Sequence, residues 1–170
     1  MNFVGKKLIE RICDQFENIL ERLIIATTEE TQDDEICNFA TTREIPFIRH
    51  NPSEDVAGRI IKCLSNHRCD YFFRINADSP FVDRLLYKRS LNILNSNNFD
   101  FITNIPGRTY PYGISVEGFS SSLFINESIH FDKAQREHVT KYFYDNIKNF
   151  NCYKLRSDQV FDRNIRLVVD

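Results

Sequence analysis

Between Leu8 and Ile105 the sequence passes repeatedly from helix-spaced apolar residues to a short apolar run, and this alternation constrains the fold more than any single motif. Leu8, Ile9, Ile12, Phe16, Ile19, Leu20 and Leu23 recur at helical spacing and give way to Leu23-Ile24-Ile25-Ala26, a strand pattern. Ile36, Phe39 and Ala40 mark a weaker helix before a strand over 45–48, where Pro46 suits the first residue of an edge strand. Ser53, with Glu54 and Asp55 behind it, reads as the start of a third helix whose buried face is Val56, Ile60, Ile61 and Leu64. A strand over 71–75, a helix over 81–96 opened by Pro80, and a strand over 99–105 complete the series α-β-α-β-α-β-α-β. That order predicts an α/β fold with a mostly parallel sheet and helices on both faces.

After Pro106 the pattern changes. Tyr110-Pro111-Tyr112-Gly113 is turn-rich, Ile114, Val116 and Phe119 alternate like a strand with one wet face, and 132–149 reads as a helix. Short strands are expected over 152–155 and 165–169. No repeat, low-complexity run or linker interrupts the chain, so 1–170 reads as a single domain, a length that supports one core.

With 22 basic against 24 acidic residues, the chain has no basic excess that would bind nucleic acid or an anionic membrane without sequence recognition. The five cysteines, Cys13, Cys37, Cys63, Cys69 and Cys152, form no Cys-x-x-Cys pair and read as reduced thiols, mostly in the core. There is neither an apolar run of membrane-spanning length nor a signal-peptide pattern, so no membrane insertion is expected and the default location is cytoplasmic.

The segment "RINADSPFVD" ends its apolar run in Asp78, a carboxylate at the carboxyl end of a predicted strand, where open α/β sheets bind ligands. Two roles fit Asp78: a metal ligand, or the cap of the helix after Pro80. Arg74 and Asn76 alternate with Ile75, so they either face a crevice or form a buried polar pair satisfied by nearby backbone. Gly58-Arg59 places a glycine inside a helix, which costs about 1 kcal/mol against alanine and reads as a mark of close packing.

Both ends read as cut through the middle of an architecture. A unit of this kind normally begins with a strand whose loop holds phosphates, yet no apolar run precedes Lys6, and 166–170 is a strand reaching an aspartate at its last residue.

The segments "GKKLIERI", "LIIATTEETQDDEI", "SEDVAGRI", "FFRINADSPFVD", "FDFITNIPGRTYPYGISVEGFS", "REHVTKYFYDN" and "IRLVVD" together resemble, in order and spacing, the cytidylyltransferases that activate acidic sugars. The likeness is greatest to the branch named for spore-coat polysaccharide biosynthesis protein F. It implies a Rossmann-like nucleotide-diphospho-sugar transferase fold and the reaction of CTP with an acidic sugar to give a CMP-sugar and pyrophosphate. Mg2+ is the implied cofactor, and polysaccharide or cell-surface glycan synthesis the implied setting. The family's first, central strand and its triphosphate loop would lie before Gly5, and the family continues past "IRLVVD". The expectation is therefore a chain impaired in CTP use, with strand edges open to a homodimer partner or a complementing chain.

The resemblance places Asp78 and Asp170 at metal-binding, catalytic positions. It places Arg74 and Asn76 beside the nucleotide, and Arg108, Tyr110 and Glu117 in a loop near the sugar, where ordinary surface roles fit equally. Tyr112 and Ser115 stand where many relatives carry acidic residues. Arg136 is implied to hold the sugar's carboxylate in a bidentate pair, with Glu137 and His138 orienting hydroxyls or the arginine; a solvated charged helix turn is the alternative. Two other readings remain: a non-catalytic subunit completed by a partner, and a glycosyltransferase of the related fold. Against the latter, Asp78-Ser79-Pro80 lacks the second aspartate of an Asp-x-Asp motif.

Overall fold

Short apolar runs bounded by turn formers yield strands of two to four residues in the computed structural model, which describes residues 2, 3, 5–162 and 164–168. β1 (Asn2–Phe3) and β2 (Lys6–Lys7) pair antiparallel, a small ribbon that was not expected, and lead into α1 (Leu8–Gln15). The Lys7 amide donates to Glu10 Oε2 at 2.6 Å and closes that helix start. The alternation then runs β3 (Ile25–Thr27), α2 (Asp34–Thr42), β4 (Phe47–Arg49), α3 (Val56–Asn66), β5 (Tyr71–Phe73), α4 (Arg84–Ser96) and β6 (Phe101–Thr103). After it come β7 (Glu117–Ser120), α5 (Ser121–Ser128), α6 (Lys133–Glu137), α7 (Lys141–Asp145) and β8 (Cys152–Lys154).

Besides the ribbon, β3 and β4 form a parallel pair and the remaining strands a sheet of order β5-β7-β6-β8. β7 runs antiparallel to both β5 and β6, and β8 parallel to β6. The α/β class is as expected, but this sheet is mixed rather than mostly parallel. The reason is the segment 104–116: it returns the chain from β6 by turns alone, without the helical crossover by which a parallel neighbour is usually reached.

The chain divides into two compact units. The first holds the described residues up to Glu17, Tyr71–Ser120 and the described residues from Ile147 on; the second holds Asn18–Asp70 and Ser121–Asn146. In the first, Ile12 and Phe16 of α1 and Leu86, Tyr87 and Leu94 of α4 pack with Ile102 of β6. The Tyr87 ring stands edge-on to Phe16 at 5.6 Å and to Phe73 at 5.3 Å, the arrangement aromatic quadrupoles favour. In the second, Ala40, Ile45, Ile48, Ala57 and Leu64 are buried, and Phe124 of α5 packs on Phe131 and Phe143 at 5.8 and 5.9 Å.

Helix starts differ from the predicted ones. α3 is capped by Asp55, which accepts from the Gly58 amide at 3.0 Å, and not by Ser53. α4 begins at Arg84, where Asp83 accepts from the Leu85 and Leu86 amides at 2.9 and 3.1 Å. The predicted helix over 132–149 is broken: His138 leaves helical backbone between α6 and α7, and a 3-10 turn spans Ile147–Asn149. This lets Tyr142 and Phe143 fold back on Phe131, at 4.9 and 5.8 Å.

Within 165–168 there is a single parallel bridge, Tyr112 to Arg166, in place of the predicted strand; Val169 lies outside the described residues. All five cysteines are free thiols, with Cys13 and Cys37 buried, Cys63 and Cys152 half-buried and Cys69 exposed. Burial pushes the Cys63 and Cys152 thiols up to about 11. Among the described residues no helix is long and apolar enough to cross a membrane.

Candidate active site

In the first unit, β5 ends at Phe73 and the chain turns through 74–80 before α4, so Arg74, Asn76 and Asp78 lie in the loop that follows the strand rather than on it. The Arg74 amide donates to the Glu117 carbonyl at 2.9 Å, and Arg74 Nη1 donates to Glu117 Oε2 at 3.1 Å. Glu117 is 6% exposed, at the start of β7. Arg74, Asn76, Ser79, Tyr87 and Glu117 line a small cleft of about 10 Å³, about the room one water needs. The Tyr87 hydroxyl donates to the Ser115 carbonyl at 2.8 Å. Burial raises the Tyr87 phenol above its ordinary range, and the Glu117 carboxylate adds to the effect.

Asp78 is exposed. Ser79 Oγ donates to its Oδ1 at 3.1 Å, and the Ser79 amide donates to the Asn76 carbonyl at 3.2 Å. With Asp83 capping α4, the capping role weighed for Asp78 is filled by another residue. Mg2+ sites commonly use one or two carboxylates and take their remaining oxygens from water and substrate phosphates. An exposed carboxylate with an adjacent hydroxyl fits that donor set. Among the described residues no group of three or more His, Cys, Asp or Glu could hold a metal, and Asp170 lies outside the described residues.

The loop 104–116 is fastened from inside by Asn104, which is 1% exposed: its Oδ1 accepts from the Val116 amide at 2.9 Å and its Nδ2 donates to the Ile114 carbonyl at 2.8 Å. Arg108 donates to the Pro111 carbonyl at 3.2 Å. Arg108 and Arg166 lie 5.2 and 4.3 Å from the Tyr112 ring centre. Where the family resemblance leads to an acidic residue, this chain offers the two guanidiniums an aromatic face. Tyr110 donates its hydroxyl to the Arg156 carbonyl at 3.2 Å and its ring stacks near Phe161.

In the second unit a separate polar cluster forms at the start of α3. Asp55 Oδ1 meets Arg136 Nε at 2.8 Å, and Arg136 Nη2 donates to Asp55 Oδ2 at 2.9 Å, a bidentate pair between residues 81 apart in sequence. His50 Nε2 lies 3.1 Å from the same Oδ2. Burial alone raises the Asp55 carboxyl, but Arg136, the Gly58 amide and His50 outweigh it and bring it to about 2. A Cβ at Gly58 would collide with the Asp55 carboxylate and the His50 ring, which accounts for the glycine in this helix. Glu137, the last residue of α6, and His138, which caps its end, are exposed.

Arg74 and Glu117 are thus brought together within the first unit, with Asn76 on the same cleft, while Arg136, Glu137 and His138 belong to the second. Sequence reasoning missed His50 and Asp55 as partners of Arg136, and Tyr87 and Asn104 as supports of the loop. The helix glycine was the one signal for the Asp55 cluster.

Solved structures share this fold. A cytidylyltransferase from Leptospira borgpetersenii serovar Hardjo-bovis matches with a TM-score of 0.91 at 23% identity, over 100% of this chain and 73% of that one. CMP:2-keto-3-deoxy-manno-octonic acid synthetase, in complex with CTP, matches with a TM-score of 0.66 at 11% identity, over 92% of this chain and 81% of that one. The fold is that of the nucleotidyltransferases. The family model for cytidylyltransferases matches residues 1–166, and the chain belongs to the cytidylyltransferase family. An uncharacterized protein of Methanocaldococcus jannaschii is 28% identical over 160 residues, 89% of this chain; the chain spans 61% of that relative's length.

Proposed function

We propose that the protein transfers a cytidylyl group from CTP to an acidic sugar in the cytoplasm, releasing pyrophosphate and supplying a CMP-sugar for polysaccharide or cell-surface glycan synthesis. The observation that carries this reading is the loop after β5, in a chain of this family: it presents an exposed carboxylate, Asp78, a few residues from a guanidinium, Arg74, whose partner Glu117 is buried. The likeness to the spore-coat polysaccharide branch supports a 2-keto or related sugar acid as acceptor, and a homodimer as the working assembly.

In this scheme a sugar hydroxyl attacks the α-phosphorus in line; the new O–P bond forms as the bond to the leaving pyrophosphate breaks, and the hydroxyl proton goes to solvent. Asp78, joined by Asp170 at the chain's end, would hold Mg2+, which neutralises charge on the triphosphate when bound. Arg74 supplies a fixed positive charge to phosphate oxygens, with Glu117 restraining its guanidinium and Asn76 offering an amide alongside. Arg136 receives the acceptor's carboxylate, a planar anion that matches its fork of donors. Glu137 and His138, beside Arg136 in the second unit, are assigned to the sugar's hydroxyls.

The test is pyrophosphate release from CTP with Mg2+ and either 2-keto-3-deoxy-manno-octonic acid or N-acetylneuraminic acid as acceptor. Release that requires both CTP and the acid is the expected result. Release that proceeds equally with a neutral hexose, or with ATP or GTP in place of CTP, contradicts the proposal.

A further inference from the structure

Arg136 uses only one edge of its guanidinium on Asp55. Nε and Nη2 are engaged at 2.8 and 2.9 Å, Nη1 has no protein partner among the described residues, and the side chain is 36% exposed. A planar fork gripped along one edge cannot rotate, so its other edge, Nη1 with the outer proton of Nη2, keeps a fixed direction toward solvent. Asp55 is fixed in turn by two further contacts, the Gly58 amide at 3.0 Å and His50 Nε2 at 3.1 Å, and its side chain is 16% exposed.

We infer that Asp55 and His50 are positioning residues that turn Arg136 into an oriented receptor for a planar carboxylate, and so select acidic over neutral sugars. The inference rests on the cytidylyl-transfer reading for the identity of the ligand, but not for the geometry of the receptor. Three features belong together in it. The bidentate pair sets the plane of the guanidinium, His50 holds the outer oxygen of Asp55, and Gly58 leaves the space in which carboxylate and imidazole sit. A helix clamp alone would need neither the open guanidinium edge nor the imidazole.

Asp55→Asn is the informative variant, because asparagine caps a helix as well as aspartate does, while its amide nitrogen faces an arginine nitrogen instead of accepting from it. Steady-state kinetics of the full chain with 2-keto-3-deoxy-manno-octonic acid should show KM for the sugar raised about tenfold by Asp55→Asn and by Arg136→Lys. KM for CTP should stay within about twofold. A purely structural clamp would move both Michaelis constants together or neither.

A second measurement does not require turnover. The Nη2–H resonance of Arg136, whose acceptor is Asp55 Oδ2, should exchange slowly with water in an NMR spectrum of the wild type and rapidly in Asp55→Asn. Millimolar sugar acid should shift it in the wild type, and mannose should not. If no CMP-sugar forms but the sugar acid still shifts this signal, the reaction assigned above fails and the receptor stands. If the sugar acid leaves the wild-type signal unmoved, or if Asp55→Asn leaves both the exchange rate and the sugar KM unchanged, the inference is overturned.

Discussion

Arg74 and Glu117 are joined twice, through backbone at 2.9 Å and through side chains at 3.1 Å, and this double link ties the loop after β5 to the start of β7. The carboxylate is nearly closed off from water while the guanidinium is 26% exposed. Neutralising the buried member should therefore cost more than an exposed surface pair would. Glu117→Gln should lower stability by about 1–3 kcal/mol in urea unfolding, and should weaken CTP binding because Arg74 loses its restraint.

The Asp55 carboxyl sits at about 2 against its ordinary 3.8, so its charged form favours the folded state. A depressed carboxyl contributes stability that is fully present above the unfolded value and is lost as pH falls through the folded one. The gap of roughly two units corresponds to about 2 kcal/mol. Thermal unfolding of the wild type and Asp55→Asn should therefore differ most above pH 4 and converge as the pH approaches 2. Asp33 is lowered as well, since the hydroxyls of Thr28 and Thr27, the Thr28 amide and the charge of Arg49 outweigh its burial, so some acid sensitivity should persist in the Asp55 variant.

Gly58 should tolerate no side chain. Alanine ordinarily gains about 1 kcal/mol over glycine inside a helix, yet here the added methyl meets the Asp55 carboxylate and the His50 ring. Gly58→Ala should be destabilising by about 1–3 kcal/mol, the range for overpacking, as read from chemical denaturation.

α2 ends with the Ile45 amide donating to the Ala40 carbonyl at 2.9 Å and the Glu44 amide donating to the Thr41 carbonyl at 3.1 Å. Glu44 closes this turn at φ 53°, a left-handed conformation that glycine adopts without its Cβ cost. Glu44→Gly should raise stability by about 0.5–1 kcal/mol, visible as a higher denaturation midpoint with an unchanged slope.

These cases separate what local sequence encodes from what it does not. The alternation from α1 to β6 was legible because hydrophobic spacing is a local signal; Leu86, Leu94 and Ile102 are buried, whereas Leu85, whose spacing also suits the inner face of α4, is 69% exposed. Cap positions were harder: Ser53 and Asp55 compete within three residues, as do Asp78 and Asp83 within six, and local chemistry ranks them nearly alike. The direction of β7 depends on how the loop 104–116 folds around Asn104, and that is set by contacts made only after folding. α5 escaped notice because Ser121, Ser122 and Ser128 frame it with little amphipathic contrast. In the site, Arg74, Asn76 and Glu117 were chosen from alternation and family likeness, whereas the Asp55 cluster joins His50, Asp55 and Arg136 from distant parts of the chain.

The most direct test of the central claim is calorimetric titration of CTP into the protein with and without Mg2+, repeated with Asp78→Asn. Saturable binding that depends on Mg2+ and is weakened at least about tenfold by Asp78→Asn is the predicted result. Binding that is indifferent to Mg2+ and equal in the variant, or no binding by a folded protein, would contradict the assignment of the loop after β5 to nucleotide and metal.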